Sequence, residues 1–109
     1  MNEVRDFRAV TARKRHWLEI DQDRMERYEA MFRWNPETEH LYESADLQPG
    51  LAVGDFGCGP GHASVEFAQR VGEHGHVHAF DINPEFIRRT VARAREHGLG
   101  ERCASSAAC

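Results

Sequence analysis

One stretch constrains the fold of this chain more than any other: Leu51 to Asn83, LAVGDFGCGPGHASVEFAQRVGEHGHVHAFDIN. Leu51 to Phe56 reads as a core strand. The run Gly57-Cys58-Gly59-Pro60-Gly61 then interrupts it, and glycine and proline at that density fit neither helix nor ordinary strand. A helix is predicted over about 62–71, with Val65, Ala68 and Val71 on one side and Gly72 as its stop. Glu73 to Gly75 makes a loop, and His76 to Phe80 reads as a second strand ending at Asp81. Strand, turn, helix and strand make one βαβ unit, which sets two parallel strands side by side.

That order is also a chemical device. The glycines let the backbone turn sharply and let a ligand approach without a Cβ in the way. The helix behind them offers unpaired N–H groups and the positive end of its dipole. Asp81 lies 20 residues beyond Gly61, where a carboxylate can accept bonds from two ribose hydroxyls. The pattern therefore predicts a nucleoside-containing ligand at the carboxyl ends of the strands. Against the dinucleotide pattern G-x-G-x-x-G, the third glycine comes one residue early, and position 62 is His. Asp55 also precedes the first glycine by two residues. A carboxylate there is unfavourable beside a pyrophosphate and favourable beside a cationic ligand.

The flanks read as follows. Residues 3–33 are predicted helical, with no Gly or Pro before Asn35. Met25, Tyr28, Met31 and Phe32 recur at helical spacing, while Val4 to Ile20 has weaker periodicity and reads as a mobile arm. Tyr28, Phe32 and Trp34 are candidates either to cover a ligand or to pack on the domain. Asn35-Pro36 breaks the helix, a short helix follows from Thr38 through Leu47, and Gln48-Pro49-Gly50 turns into the first strand. After the second strand, Asn83 caps a helix that opens on Pro84 and Glu85 and ends at Gly98. Its apolar face is expected to be Ile87, Val91 and Ala94, with Phe86 beside them, and Arg88, Arg89, Arg93 and Arg95 are expected to be solvated. A third strand is due near Glu101 to Arg102, but Cys103 to Cys109 has no β-branched residue and reads as an irregular tail.

The expected organisation is a helical segment over 1–34, a partial α/β domain over 35–102 and the tail 103–109. Two parallel strands with two helices cannot bury both sheet faces. The expectation is the N-terminal part of a doubly wound parallel sheet, or a truncated or frame-shifted product.

Composition excludes several function classes. A formal net charge of -4 argues against a strongly basic nucleic-acid surface, and Arg13-Lys14-Arg15 reads as a solvated helix face. No apolar run approaches the roughly 18 residues of a membrane span. The N-terminus lacks a secretory core, and its early acids do not fit a transit peptide. Cys58, Cys103 and Cys109 are odd in number and form no CxxC pair, which points to the cytoplasm. Cys58 belongs to the glycine turn as a small side chain, and no base is placed to make it a nucleophile. His74, His76 and His78 alternate, with His62 nearby, but no carboxylate or Cys completes a ligand set, so no metal is expected.

VGDFGCGPG followed by HVHAFDIN resembles motifs I and II of the class I S-adenosylmethionine-dependent methyltransferases. The resemblance covers about Leu41 to Arg102, and the lead-in from Tyr42 is similar to the ubiquinone/menaquinone-biosynthesis type. It implies a Rossmann-like sheet and S-adenosyl-L-methionine as cofactor. It also implies methyl transfer to an O, N, C or S atom of a small-molecule acceptor. By resemblance, Asp55 opens the cofactor turn, and Gly57, Cys58, Gly59 and Gly61 form it. Asp81 takes the ribose hydroxyls and Ile82 lies against the adenine. The preceding helical segment often closes over the cofactor in that family, which by resemblance makes Tyr28 and Trp34 candidates to cover it. The acceptor's base belongs to later loops of the family, so no catalytic residue is named, and the oligomeric state stays open. An NAD-dependent oxidoreductase is the rival enzyme class, and a non-catalytic cofactor-binding fragment is the rival to both.

Overall fold

β1 (Ala52–Phe56) and β2 (His76–Asp81) pair in parallel in register, Ala52 opposite His76 and Phe56 opposite Phe80. The computed structural model that shows this describes residues 15–107. Between the two strands runs an α-helix, His62–Val71, so the βαβ unit forms where the glycine spacing puts it. A second α-helix, Pro84–Glu96, follows β2. Asn83 caps that helix by accepting from the amides of Glu85 at 2.8 Å and Phe86 at 3.2 Å. The turn at its far end passes through Gly98, whose φ is +70°.

A third strand, β3 (Cys103–Ala107), pairs in parallel with β2, Val77 opposite Cys103 and Asp81 opposite Ala107. The irregular tail expected from residue 103 onward is corrected over this span. Strand preference depends on context, and here the context is the free edge of β2. The Val77 amide donates to the Arg102 carbonyl at 2.9 Å. Leu99, just before the strand, and Cys103, its first residue, sink into the core and anchor a strand whose other side chains are small.

The helices occupy one face of this three-stranded, Rossmann-like sheet. Val65, Phe67, Ala68 and Val71 meet Val77, Ala94, Leu99 and Cys103 in the core, with Val53 packed against it. Each large apolar side chain buried there contributes about 1.5–3 kcal/mol. The other face carries Phe56, His76, His78 and Phe80, exposed or half-buried. The second helix turns differently from its apolar stripe: Phe86, Thr90 and Ala94 are buried, while Ile87 and Val91 are half-buried. Burial of Thr90 puts a hydroxyl under the glycine turn.

In chain order these helices are preceded by α1 (Gln22–Met31) and α2 (Pro36–Tyr42), so His62–Val71 is α3 and Pro84–Glu96 is α4. The single helix expected over 3–33 is broken at 19–21. Asp21 caps α1, its side chain accepting from the Arg24 amide at 2.8 Å. Residues 3–14 of that expectation lie outside the described residues. Asn35 caps α2 from the Thr38 amide at 2.9 Å. The helix expected through Leu47 becomes a 3-10 turn at Glu43–Ala45, stopped by Asp46 at φ 48°. Among the described residues, no helix is long and apolar enough to cross a membrane.

Candidate cofactor site

The glycine turn is fastened from both sides. From β2, the Phe80 carbonyl accepts from the amides of Gly57 at 2.8 Å and Cys58 at 2.9 Å. The Gly59 amide donates to Asp81 Oδ2 at 3.0 Å. From α4, Thr90 Oγ1 donates to the Gly59 carbonyl at 3.1 Å and Arg93 Nε to that of Pro60 at 3.2 Å. Gly61, at φ +92°, caps α3 without a side-chain bond, so the amides of the first turn face the loop.

Above this turn lies a cavity of about 500 Å³. Gly57, Gly59, Asp81 and Ile82 form its floor, and Trp17, Phe32, Phe56, Phe80 and Phe86 its walls. Asp81 is its one titratable lining residue among the described residues. The Asn83 amide donates to Asp81 Oδ1 at 2.9 Å, while Oδ2 is held by Gly59. Each carboxylate oxygen keeps a second lone pair for a ligand. At Gly57 a Cβ would meet nothing within 4 Å, so a bare backbone faces open space there. Such a floor, aromatic walls and an acceptor pair fit a nucleoside carrying a ribose diol.

The residues expected at the site divide. Gly57, Gly59, Asp81 and Ile82 line the cavity. Asp55, Cys58 and Gly61 lie behind it. Asp55 Oδ2 accepts from Ser64 Oγ at 2.6 Å, and burial pushes its carboxyl above the usual range against that bond. Cys58 Sγ sits 3.6 Å from Thr90 Oγ1, and burial pushes its thiol up to about 12. That value suits a packing side chain and not a nucleophile.

The aromatic candidates divide as well. Phe32 lies over Gly59, where a Cβ would touch its ring at 3.8 Å. Tyr28 backs Phe32 with ring centroids 5.6 Å apart and also meets Trp17 at 5.5 Å. Trp34 turns away, stacks on Tyr42 at 5.5 Å and donates its indole N–H to Glu39 at 2.7 Å. Trp17 is a wall residue that sequence reasoning missed, since a lone Trp in a weakly periodic arm carries no positional signal.

Two of the four arginines expected to be solvated are not. Arg89 and Arg93 reach Glu29 of α1 and are only 23% and 22% exposed. The His62 ring joins them, its Nε2 lying 3.0 Å from the Glu29 carboxylate and 3.0 Å from the Glu29 carbonyl oxygen. Burial, then the nearby Arg93 charge, holds the His62 pKa below its ordinary value against the pull of Glu29. The contact is thus a neutral imidazole whose Nε2–H donates to Glu29. His78 is elsewhere, on the uncovered sheet face beside Ser106 Oγ at 2.8 Å.

A family described as a methyltransferase domain matches residues 47–105. Nocamycin O-methyltransferase from Saccharothrix syringae is 39% identical over 67 residues, which cover 62% of this chain and 24% of that protein. Ribosomal protein L11 methyltransferase from Methylococcus capsulatus is 43% identical over 60 residues, covering 55% and 20%. Among solved structures, a SAM-dependent methyltransferase from Geobacter sulfurreducens in complex with S-adenosyl-L-homocysteine is similar at 25% identity. Its TM-score is 0.57, over 68% of this chain and 29% of that one. The matching family spans the glycine turn and Asp81, and the chain belongs to it: the class I S-adenosylmethionine-dependent methyltransferases. It spans between 20% and 30% of the lengths of the curated relatives it matches.

Proposed function

We propose that this chain forms the cofactor-binding part of an S-adenosylmethionine-dependent methyltransferase acting on a small-molecule acceptor. The observation that carries the reading is Asp81. It ends β2, is fixed by the amides of Gly59 and Asn83, and lines an otherwise apolar cavity. In this reading Asp81 accepts from both ribose hydroxyls, and Ile82 lies against the adenine. Gly57 and Gly59 present backbone to the ligand, while Cys58 and Gly61 hold the turn's shape. Asp55, on β1 and accepting from Ser64 of α3, is the nearby carboxylate that favours a cationic ligand over a pyrophosphate.

When bound, S-adenosylmethionine supplies an electrophilic methyl group on a sulfonium. The protein orients the reactants and excludes water. Trp17 and Phe32 close the cavity from above, and Phe86 closes it from α4. A small, apolar acceptor suits these walls, and no nucleic acid is expected at a chain of net charge -4. The cytoplasm is the proposed location.

Calorimetric titration with S-adenosylmethionine, S-adenosylhomocysteine and NAD tests the cofactor. Binding of the first two but not NAD is expected, and Asp81→Ala should weaken it about 10- to 100-fold, the worth of hydrogen bonds to a charged group. Binding of NAD alone overturns the reading. Methylation of a ribosomal protein in place of a small molecule would overturn the acceptor class.

A further inference from the structure

Residues 16–32 cross the cavity as a strap, and its two ends are fastened differently. At one end Asn83 Nδ2 donates to the carbonyl oxygens of Trp17 at 2.7 Å and Leu18 at 3.4 Å. At the other end stands Glu29, one turn before Phe32 on α1. Between them the strap buries little: Met25 is the one buried residue of α1, while Trp17 and Phe32 remain 40% and 44% exposed. A segment with so little apolar burial opens locally at small cost unless polar contacts hold it.

Those contacts converge on one carboxylate. Arg89 Nη1 donates to Glu29 Oε2 at 3.0 Å, Arg93 Nη2 reaches Oε1, and His62 Nε2 lies 3.0 Å from Oε1. Each partner belongs to the helices packed on the sheet. His62 follows the last glycine of the cofactor turn, and the arginines lie one turn apart on α4. An exposed ion pair contributes little, but Glu29 is only 23% exposed and shared between two guanidinium groups. Without Glu29, Arg89 keeps Glu85 at 3.1 Å and Arg93 keeps only the Pro60 carbonyl, so two like charges face each other across one helical turn.

We propose that Glu29 is the latch that holds the strap over the cavity and sets how fast a bound ligand leaves. This rests on the cofactor reading only for the identity of the ligand. Glu29 is a positioning residue: it acts through Phe32 and Trp17 and does not line the cavity itself.

Hydrogen exchange of the unliganded protein tests the latch directly. In Glu29→Gln the amides of α1 should exchange about tenfold faster while those of β2 and α4 keep their protection. Arg93→Gln should act in the same direction, which guards against one variant failing to fold. With S-adenosylhomocysteine bound, stopped-flow fluorescence of Trp17 should show a dissociation rate about tenfold higher in Glu29→Gln and a nearly unchanged association rate. Unchanged α1 exchange in both variants, or an unchanged dissociation rate, overturns the latch. Failure of the unsubstituted protein to bind S-adenosylhomocysteine would instead sink the cofactor reading, and the exchange comparison would still decide the latch.

Discussion

The backbone of Thr90 stands where a side chain on Gly61 would go. A Cβ built on Gly61 would lie 2.6 Å from Thr90 Oγ1, 2.8 Å from its Cα and 2.9 Å from its Cβ. The two residues come from different elements, the start of α3 and the middle of α4. Their closeness lets Thr90 reach the Gly59 carbonyl and so fixes the cofactor turn. Gly61 is therefore required twice, by its φ of +92° and by its neighbour.

Gly61→Ala should cost about 2–5 kcal/mol, the sum of left-handed strain and overpacking. Most of that should survive Thr90→Ala, because truncating the hydroxyl leaves the Thr90 Cα and Cβ where they are. Urea melts of the single and double variants measure this. A Gly61→Ala midpoint close to that of the unsubstituted protein would remove the steric account.

What was legible in the sequence was local. Asn83-Pro84 announces α4 because a cap and a fixed φ act within three residues, and both are found. The glycine turn and Asp81 are legible for the same reason, since their spacing is set by one βαβ unit. What was illegible depends on partners far along the chain. β3 forms on the edge of β2 although its own residues lack strand preference. Glu29 meets Arg89 from 60 residues away, and an ion pair at that distance leaves no periodic trace. The same holds for Trp17, whose carbonyl is held by Asn83 from 66 residues away.

Asp55 makes a prediction about pH and stability. Burial raises its carboxyl above the unfolded value of 3.8, so the folded state favours the protonated form. Such a group contributes stability below the unfolded pKa, and the contribution is lost as pH rises through the folded pKa. Asp55→Asn keeps an acceptor for Ser64 and removes the titration. The variant should gain stability relative to the unsubstituted protein as pH rises above 3.8, measured as the difference in melting temperature across a pH series. A difference that does not change with pH would show that Asp55 titrates normally.

Cys58 should be chemically silent in the folded protein. Its thiol, pushed up to about 12 by burial, is almost wholly protonated at pH 8. Iodoacetamide at that pH should leave Cys58 unmodified by peptide mass spectrometry until urea unfolds the chain. Rapid labelling in native buffer would mean that the turn opens far more readily than its hydrogen bonds imply. Cys58→Ser, which puts a more polar atom beside Thr90 in the same space, should lower stability by about 1–2 kcal/mol, within the range for an imperfectly satisfied buried hydroxyl.

His62 gives the opposite sign to Asp55, in a higher pH window. Burial and Arg93 hold its pKa below 6.5, with Glu29 opposing them. The unfolded chain therefore takes up the proton first, and the neutral ring's contribution is fully present above pH 6.5. That contribution is lost as pH falls through the folded pKa. The groups facing the ring are Glu29 from α1 and Arg93 from α4. Protonation puts a charge on a half-buried ring and adds a third cation to a carboxylate already shared by two guanidinium groups, so burial first, and then the repulsion from Arg93, oppose it against the pull of Glu29. His62→Gln keeps an N–H for Glu29 without a titrating ring. Melting temperatures of the two proteins, compared from pH 7.5 to 5, should diverge below about 6.5, with the unsubstituted protein losing more. Parallel curves across that range would show that the ring does not titrate differently on folding.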